Sequence, residues 1–92
     1  MDPETAERLS QIEKEIQNID NEKAQRQQTL AAFWEHLPPI DPEVVAKFMQ
    51  ELRDRIRALE DRKRALLLEQ EVLIVRAAAD AAPPPNPPRN EH

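Results

Sequence analysis

Two long segments without an interior proline or glycine are separated by the stretch Glu35–Val45 (EHLPPIDPEVV), which has prolines at 38, 39 and 42. Proline disfavours helical geometry at the residue before it, so a helix that precedes Pro38 ends near His36 or Leu37. The chain contains no glycine at all, so it cannot end a helix with a glycine cap. This stretch therefore predicts a corner between two helices, built by proline.

Both segments begin with the same tripeptide, Asp-Pro-Glu, at Asp2–Glu4 and Asp41–Glu43. Aspartate caps free backbone N–H groups, proline loses nothing at the first helical position, and glutamate complements the helix dipole. The tripeptide predicts helices at about 3–37 and 42–81, joined by a corner at 38–41. A connection this short makes the two helices antiparallel.

Each predicted helix repeats apolar residues at alternating steps of three and four, the heptad pattern of coiled coils. In the first helix the positions are Leu9, Ile12, Ile16, Ile19, Lys23, Arg26, Leu30, Phe33 and Leu37. In the second they are Val45, Met49, Leu52, Ile56, Leu59, Lys63, Leu66, Gln70, Leu73 and Ala77. Folding at the corner brings the two sets into register, from Leu37 against Val45 to Leu9 against Leu73. We predict an all-α antiparallel two-helix coiled-coil hairpin over residues 1–82, which dimerises into a four-helix bundle.

Composition narrows the possible functions. Charged residues make up 34% of the chain, aromatic residues 3%, and there is no cysteine, so disulfides and thiolate metal sites are excluded. The acidic N-terminus lacks the apolar segment of a signal peptide, and the longest run of large aliphatic residues, Val72–Val75, is too short to cross a bilayer. We expect a soluble, cytoplasmic protein with no membrane partner.

The residues that would support catalysis are sparse. Phosphate-binding loops need glycine, and the two histidines and the single serine, Ser10, are far apart along rods. The carboxylates fall on solvated helix faces without a pocket to tune their pKa values. We predict a protein that is not an enzyme and that uses no metal or cofactor.

The late part of the second helix has more apolar residues than one seam can use. The surplus consists of Leu67, Leu68, Val72, Ile74 and Val75, which surround most of the helix. A monomeric hairpin would leave them in water, and an exposed patch of this kind usually marks an interface. We predict that they contact a second copy of the chain or another helical protein.

Three cations, Lys23, Arg26 and Lys63, occupy seam positions. Their stems can pack while their charged heads reach the nearby acids Asp20, Glu22, Glu60 or Asp61, and polar seam residues often fix register and oligomeric state. The alternative is a cationic pocket for an acidic partner or an anion.

The aromatic residues Phe33, Trp34 and Phe48 all lie near the corner. They either close the end of the bundle or form a hairpin-tip contact, in which an exposed tryptophan anchors a partner. In the tail, residues 83–92, Pro84, Pro87 and Arg89 match the PxxPxR pattern of SH3 ligands, although proline runs of this kind also serve as linkers.

These features favour a non-enzymatic, oligomeric protein-interaction module, meaning a scaffold, an adaptor or a small regulatory protein. One alternative is an RNA-binding hairpin dimer that uses the basic stretch 53–64. There, acids interleave with the arginines, and pairs such as Glu51 with Arg55 at i,i+4 favour a solvated, salt-bridged face. The other alternative is a subunit or chaperone of a larger assembly. Steep loss of affinity with salt would favour nucleic acid over protein as the partner.

Overall fold

The computed structural model of the chain describes residues 1–81, which form two helices, α1 (Pro3–Glu35) and α2 (Pro42–Ala81). The helices fold back on each other as an antiparallel hairpin, and the described residues contain no strand. The predicted all-α two-helix hairpin and both helix starts are confirmed, whereas its dimerisation into a four-helix bundle stays a prediction. Within the described part of the chain, neither helix has a stretch long and apolar enough to cross a membrane.

The repeated tripeptide caps both helices as expected. The Asp2 carboxylate accepts hydrogen bonds from the backbone N–H of Glu4 (2.8 Å) and from the Thr5 hydroxyl (2.9 Å). The bond from Thr5, followed by that from the Glu4 backbone, lowers the pKa of Asp2. At the second start, Asp41 accepts from the N–H of Glu43 at 2.9 Å. The same residues therefore satisfy the free N–H groups at both N-termini.

The first helix ends two residues earlier than predicted. His36 has an extended backbone (φ −137°, ψ 92°), although its N–H still donates to the Ala32 carbonyl at 2.8 Å. Pro38 keeps Leu37 out of helical geometry, so the Leu37 side chain no longer follows the direction of the seam. Leu37 is 68% exposed. The predicted seam position of Leu37 was therefore wrong, and the connection runs from 36 to 41.

The core is a single seam between the two helices. Every buried hydrophobic residue of the described chain lies at a position of the predicted heptad repeat: Ile12, Ile19, Val45, Met49, Leu52, Ile56, Leu59 and Leu66. Ile12 and Leu66 are completely buried and lie in one cluster with Ile19 and Leu59. A spacing of three and four residues keeps one face of each helix against the other helix, so the buried residues coincide with the predicted repeat.

Arg26 is the most exposed of the three cations at seam positions. Its side chain is 46% exposed, whereas those of Lys23 and Lys63 are 26% and 32% exposed. A helix with 3.6 residues per turn drifts against a repeat of 3.5, so successive seam positions move toward the edge. The guanidinium of Arg26 uses this freedom to reach Glu22 at 3.3 Å.

Candidate interaction surface

A second apolar line runs along the back of α2. We call this line the outer stripe. Each of its residues lies two positions after a seam residue, and its members are Ala65, Leu68, Val72, Val75 and Ala79. Two residues turn an α-helix by about 200°, so the outer stripe lies opposite the seam. All five residues are exposed, Leu68 and Val75 to about 60% of their surface. The hairpin therefore has one apolar line that faces α1 and another that faces away from it.

The outer stripe has a sharp upstream limit. The equivalent positions earlier in α2 hold Lys47, Glu51, Asp54, Ala58 and Asp61, which are exposed and mostly charged. The apolar stripe begins immediately after Asp61 and runs for about 21 Å at 1.5 Å per residue. Good helix propensity alone does not require this change, because charged and apolar residues both occur on exposed helix faces. The confinement of the apolar residues to one half of α2 is typical of a docking surface.

The structure separates the five predicted interface residues into two groups. Leu68, Val72 and Val75 belong to the outer stripe, whereas Leu67 and Ile74 each follow a seam residue by one position and lie on a flank. The sequence prediction missed Ala65 and Ala79, which complete the outer stripe. Both alanines could have been found from the sequence, because the outer stripe repeats the spacing of the seam two residues later.

The opposite flank of the hairpin carries a regular series of ion pairs, which we call the ion ladder. Three arginine–glutamate pairs join α1 to α2, each through two hydrogen bonds: Arg8–Glu69 (2.6 and 2.7 Å), Glu15–Arg62 (2.7 and 3.3 Å) and Glu22–Arg55 (2.8 and 3.0 Å). Successive pairs are seven residues apart on both helices. The ladder therefore repeats once per heptad, in step with the seam.

The ladder changes the acidity of its carboxylates. Hydrogen bonds from Arg62, Arg55 and Arg8 lower the pKa values of Glu15, Glu22 and Glu69, respectively, and the positive charges of the same arginines add to the effect. The sequence analysis did not find these pairs, because it looked for partners within one helix. The predicted register, with Leu9 opposite Leu73, was already sufficient to match these residues across the two helices.

The two seam lysines reach acids that the sequence analysis proposed for them. The Lys63 ammonium lies 2.8 Å from the Asp20 carboxylate, and the Lys23 ammonium lies 4.0 Å from that of Glu60. A shallow groove of about 190 Å³ beside them is lined by both lysines and by Glu60, Arg64 and Leu67. Since a carboxylate already lies among the cations, the groove is not a uniformly cationic pocket.

Much of the basic stretch 53–64 is engaged within the hairpin. Arg55 and Arg62 belong to the ion ladder, so the expected Glu51–Arg55 pair is not the one that forms. Arg64 pairs with Asp61 at 3.1 Å, and the Arg53 guanidinium lies 5.8 Å from the centre of the Trp34 ring. These contacts match the expectation of a salt-bridged face and do not leave a continuous row of cations for a phosphate backbone.

The corner has its own exposed apolar surface. Phe33 and Phe48 contact each other edge to face, with ring centres 5.3 Å apart and an angle of 86° between the rings. Trp34 does not join them and is 65% exposed. An apolar groove of about 250 Å³ on this end includes Leu37 and Ile40. The predicted tip residues are therefore divided between an aromatic pair and an exposed tryptophan.

Within residues 1–81, no three His, Cys, Asp or Glu side chains are arranged to hold a metal ion. The predicted SH3-type ligand, Pro84, Pro87 and Arg89, lies outside the described residues. Comparison of the chain with protein-family models, with curated proteins and with solved structures found no match.

Proposed function

We propose that this chain is a non-enzymatic protein-interaction module that associates with a second copy of itself through the outer stripe of α2, and that serves as a scaffold or adaptor. The observation that carries the proposal is the position of Leu68, Val72 and Val75. They are exposed, they share one face, and that face points away from the only other helix of the described chain.

The energetics favour association of a preformed surface. Burial of apolar area contributes about 25 cal/mol per Å², so covering three large side chains on each of two copies yields several kcal/mol. Isolated helices of two or three turns are marginal in water, because ordering them is costly. Here the seam and the ion ladder already hold α2 as a helix, so a partner meets an ordered surface.

The proposal is tested by thermal unfolding at several protein concentrations. Because a dimer is stabilised by mass action, the Tm of the wild type should rise between roughly 2 and 200 µM protein. The variant Leu68→Glu/Val75→Glu should lose this dependence and keep most of its helical circular dichroism, since the seam is intact. A Tm of the wild type that does not depend on concentration would contradict self-association.

A matched control makes the same two changes elsewhere. Leu37 and Val44 are exposed at the corner end of the hairpin, so Leu37→Glu/Val44→Glu replaces one leucine and one valine outside the outer stripe. This control should melt with the concentration dependence of the wild type. If it loses that dependence while Leu68→Glu/Val75→Glu keeps it, the corner and not the outer stripe is the interface.

A further inference from the structure

We propose that the two copies pair through their outer stripes in parallel and in register, so that each residue of the stripe meets its own counterpart. This inference rests on the proposed function and specifies its geometry. It depends on three observations: the order of residue types in the stripe, the charges beside it, and the charges at the equivalent positions upstream.

The outer stripe is a heptad seam in its own right. Its spacing of three and four places Ala65, Val72 and Ala79 at a positions and Leu68 and Val75 at d positions. Val72 at a with Leu68 at d is the combination that favours two-stranded parallel coiled coils, whereas Val75 at the second d position does not add to this preference. Alanine at both ends lets the backbones approach closely, so the large side chains fill the middle of the interface.

The charges beside the stripe suit the same geometry. In a parallel pair, a g residue meets the e residue five positions later on the other helix. Glu71 is a g residue and Arg76 the following e residue, so Glu71 of one copy would face Arg76 of the other. One heptad earlier, Arg64 would face Glu69, whose carboxylate Arg8 already holds in position. Both contacts are attractive, and symmetry doubles each of them.

In an antiparallel pair, e residues meet e residues and g residues meet g residues, so Glu71 would not face Arg76.

The upstream positions then define where the parallel pairing ends. Asp61, Asp54 and Glu51 would each meet the same acid on the other copy, and like charges in a seam repel. The two copies should therefore diverge on the N-terminal side of Asp61. Both corners would then lie at the same end of the dimer, separated from each other.

Cysteine cross-linking tests the direction, because the chain has no cysteine of its own. Under mild oxidation, Ala65→Cys and Ala79→Cys should each give reducible dimers, since each cysteine meets its counterpart. Ala24→Cys, on the exposed side of α1, is the matched control and should stay monomeric on a denaturing gel. Dimers that form only when Ala65→Cys is mixed with Val75→Cys, or Ala79→Cys with Leu68→Cys, would show antiparallel pairing, in which a positions meet d positions, and would overturn the inference.

Charge reversal tests the pairing residue by residue. Arg76→Glu should weaken dimerisation by roughly two- to tenfold, since an exposed ion pair becomes a repulsion on each side of the interface. Adding Glu71→Arg should restore the affinity. Residues five apart do not face each other on one helix, so the rescue must come from the second copy. A double variant that dimerises no better than Arg76→Glu would contradict the parallel register.

The two proposals fail in different ways. If sedimentation shows only monomers of the wild type, self-association itself is wrong. If the wild type dimerises but Ala65→Cys links only to Val75→Cys, or Ala79→Cys only to Leu68→Cys, the outer stripe is still the interface and only its direction changes.

Discussion

The direction of the charges in the ion ladder supports the register that the short corner imposes on the hairpin. Arg8 donates from α1 to Glu69, whereas Glu15 and Glu22 accept on α1 from Arg62 and Arg55. If the helices slipped by one heptad in one direction, Glu15 would face Glu69. In the other direction, Arg8 would face Arg62. An apolar seam alone tolerates such slips, because every heptad looks alike, but either slip would here create like-charge contacts.

The ladder also predicts how stability depends on pH. The pKa values of Glu15, Glu22 and Glu69 lie below the usual 4.5 in the folded chain. Their stabilisation is therefore complete above about pH 4.5 and is lost as pH falls through the lowered values. Glu15→Gln/Glu22→Gln/Glu69→Gln should melt at a lower temperature than the wild type at pH 7, and its Tm should fall less on acidification.

The control for this experiment replaces three other exposed glutamates, Glu7, Glu13 and Glu51, by glutamine. The control should keep a pH profile close to that of the wild type. Equal slopes of Tm against pH for the ladder variant and the wild type would show that the ladder does not stabilise the hairpin.

Replacing a seam lysine by an apolar residue should stabilise the hairpin. Lys23 lies at a seam position in the layer of Leu59, and its ammonium is 4.0 Å from the nearest acid, Glu60. Lys23→Leu should raise the free energy of unfolding in urea by about 1 kcal/mol, because an apolar side chain fills the layer without a charge to desolvate. Arg26→Leu is the control and should change it less, since Arg26 is more exposed. Lower stability of Lys23→Leu would mean that the lysine makes a bond essential to the seam.

At the scale of the elements, the corner decides whether the chain forms a hairpin or a single rod. Both helices have strong seams, and nothing between them other than the prolines and the Asp41 cap opposes continuous helix. The Ile40 N–H donates to the Pro38 carbonyl at 2.8 Å, which tightens the turn. The prolines thus end the first helix in a chain that has no glycine to do so.

This role of the prolines can be measured. Pro38→Ala/Pro39→Ala/Pro42→Ala should allow α1 to continue into α2, so that two chains exchange helices and the radius of gyration by small-angle scattering increases. Pro3→Ala is the control, since it removes a proline from the same tripeptide at a helix start that has no corner. An unchanged radius of gyration in the triple variant would show that other residues direct the turn.

The two helices could be predicted from residues close in sequence, but the end of the first helix could not. The caps at Asp2 and Asp41 and the two heptad repeats depend on residues close in sequence, so the sequence suffices for them. Leu37 was misplaced because Pro38 competes with the repeat at that residue, and the backbone constraint prevails. The ion ladder was missed because its members lie on opposite helices, while ion pairs were sought within one helix. Ala65 and Ala79 of the outer stripe were missed because they are small residues outside the seam.

At the scale of the whole molecule, the hairpin has two distinct ends. The corner end carries Trp34, Leu37 and Ile40 in exposed positions, and the far end carries the outer stripe. In the proposed dimer the stripes join the far ends and the two corners point the same way. Such a fork would present two equal apolar tips, and paired sites of this kind bind a divalent partner more tightly than single ones.

The central claim, that the outer stripe joins two copies, is tested most directly by sedimentation equilibrium over roughly 1 to 100 µM protein. The monomer has a mass of 10.7 kDa. The account predicts that the weight-average mass of the wild type rises toward twice that value, and that Leu68→Glu/Val75→Glu stays at the monomer mass across the whole range. A wild type that remains a monomer at every concentration, or a variant that dimerises as well as the wild type, would contradict it.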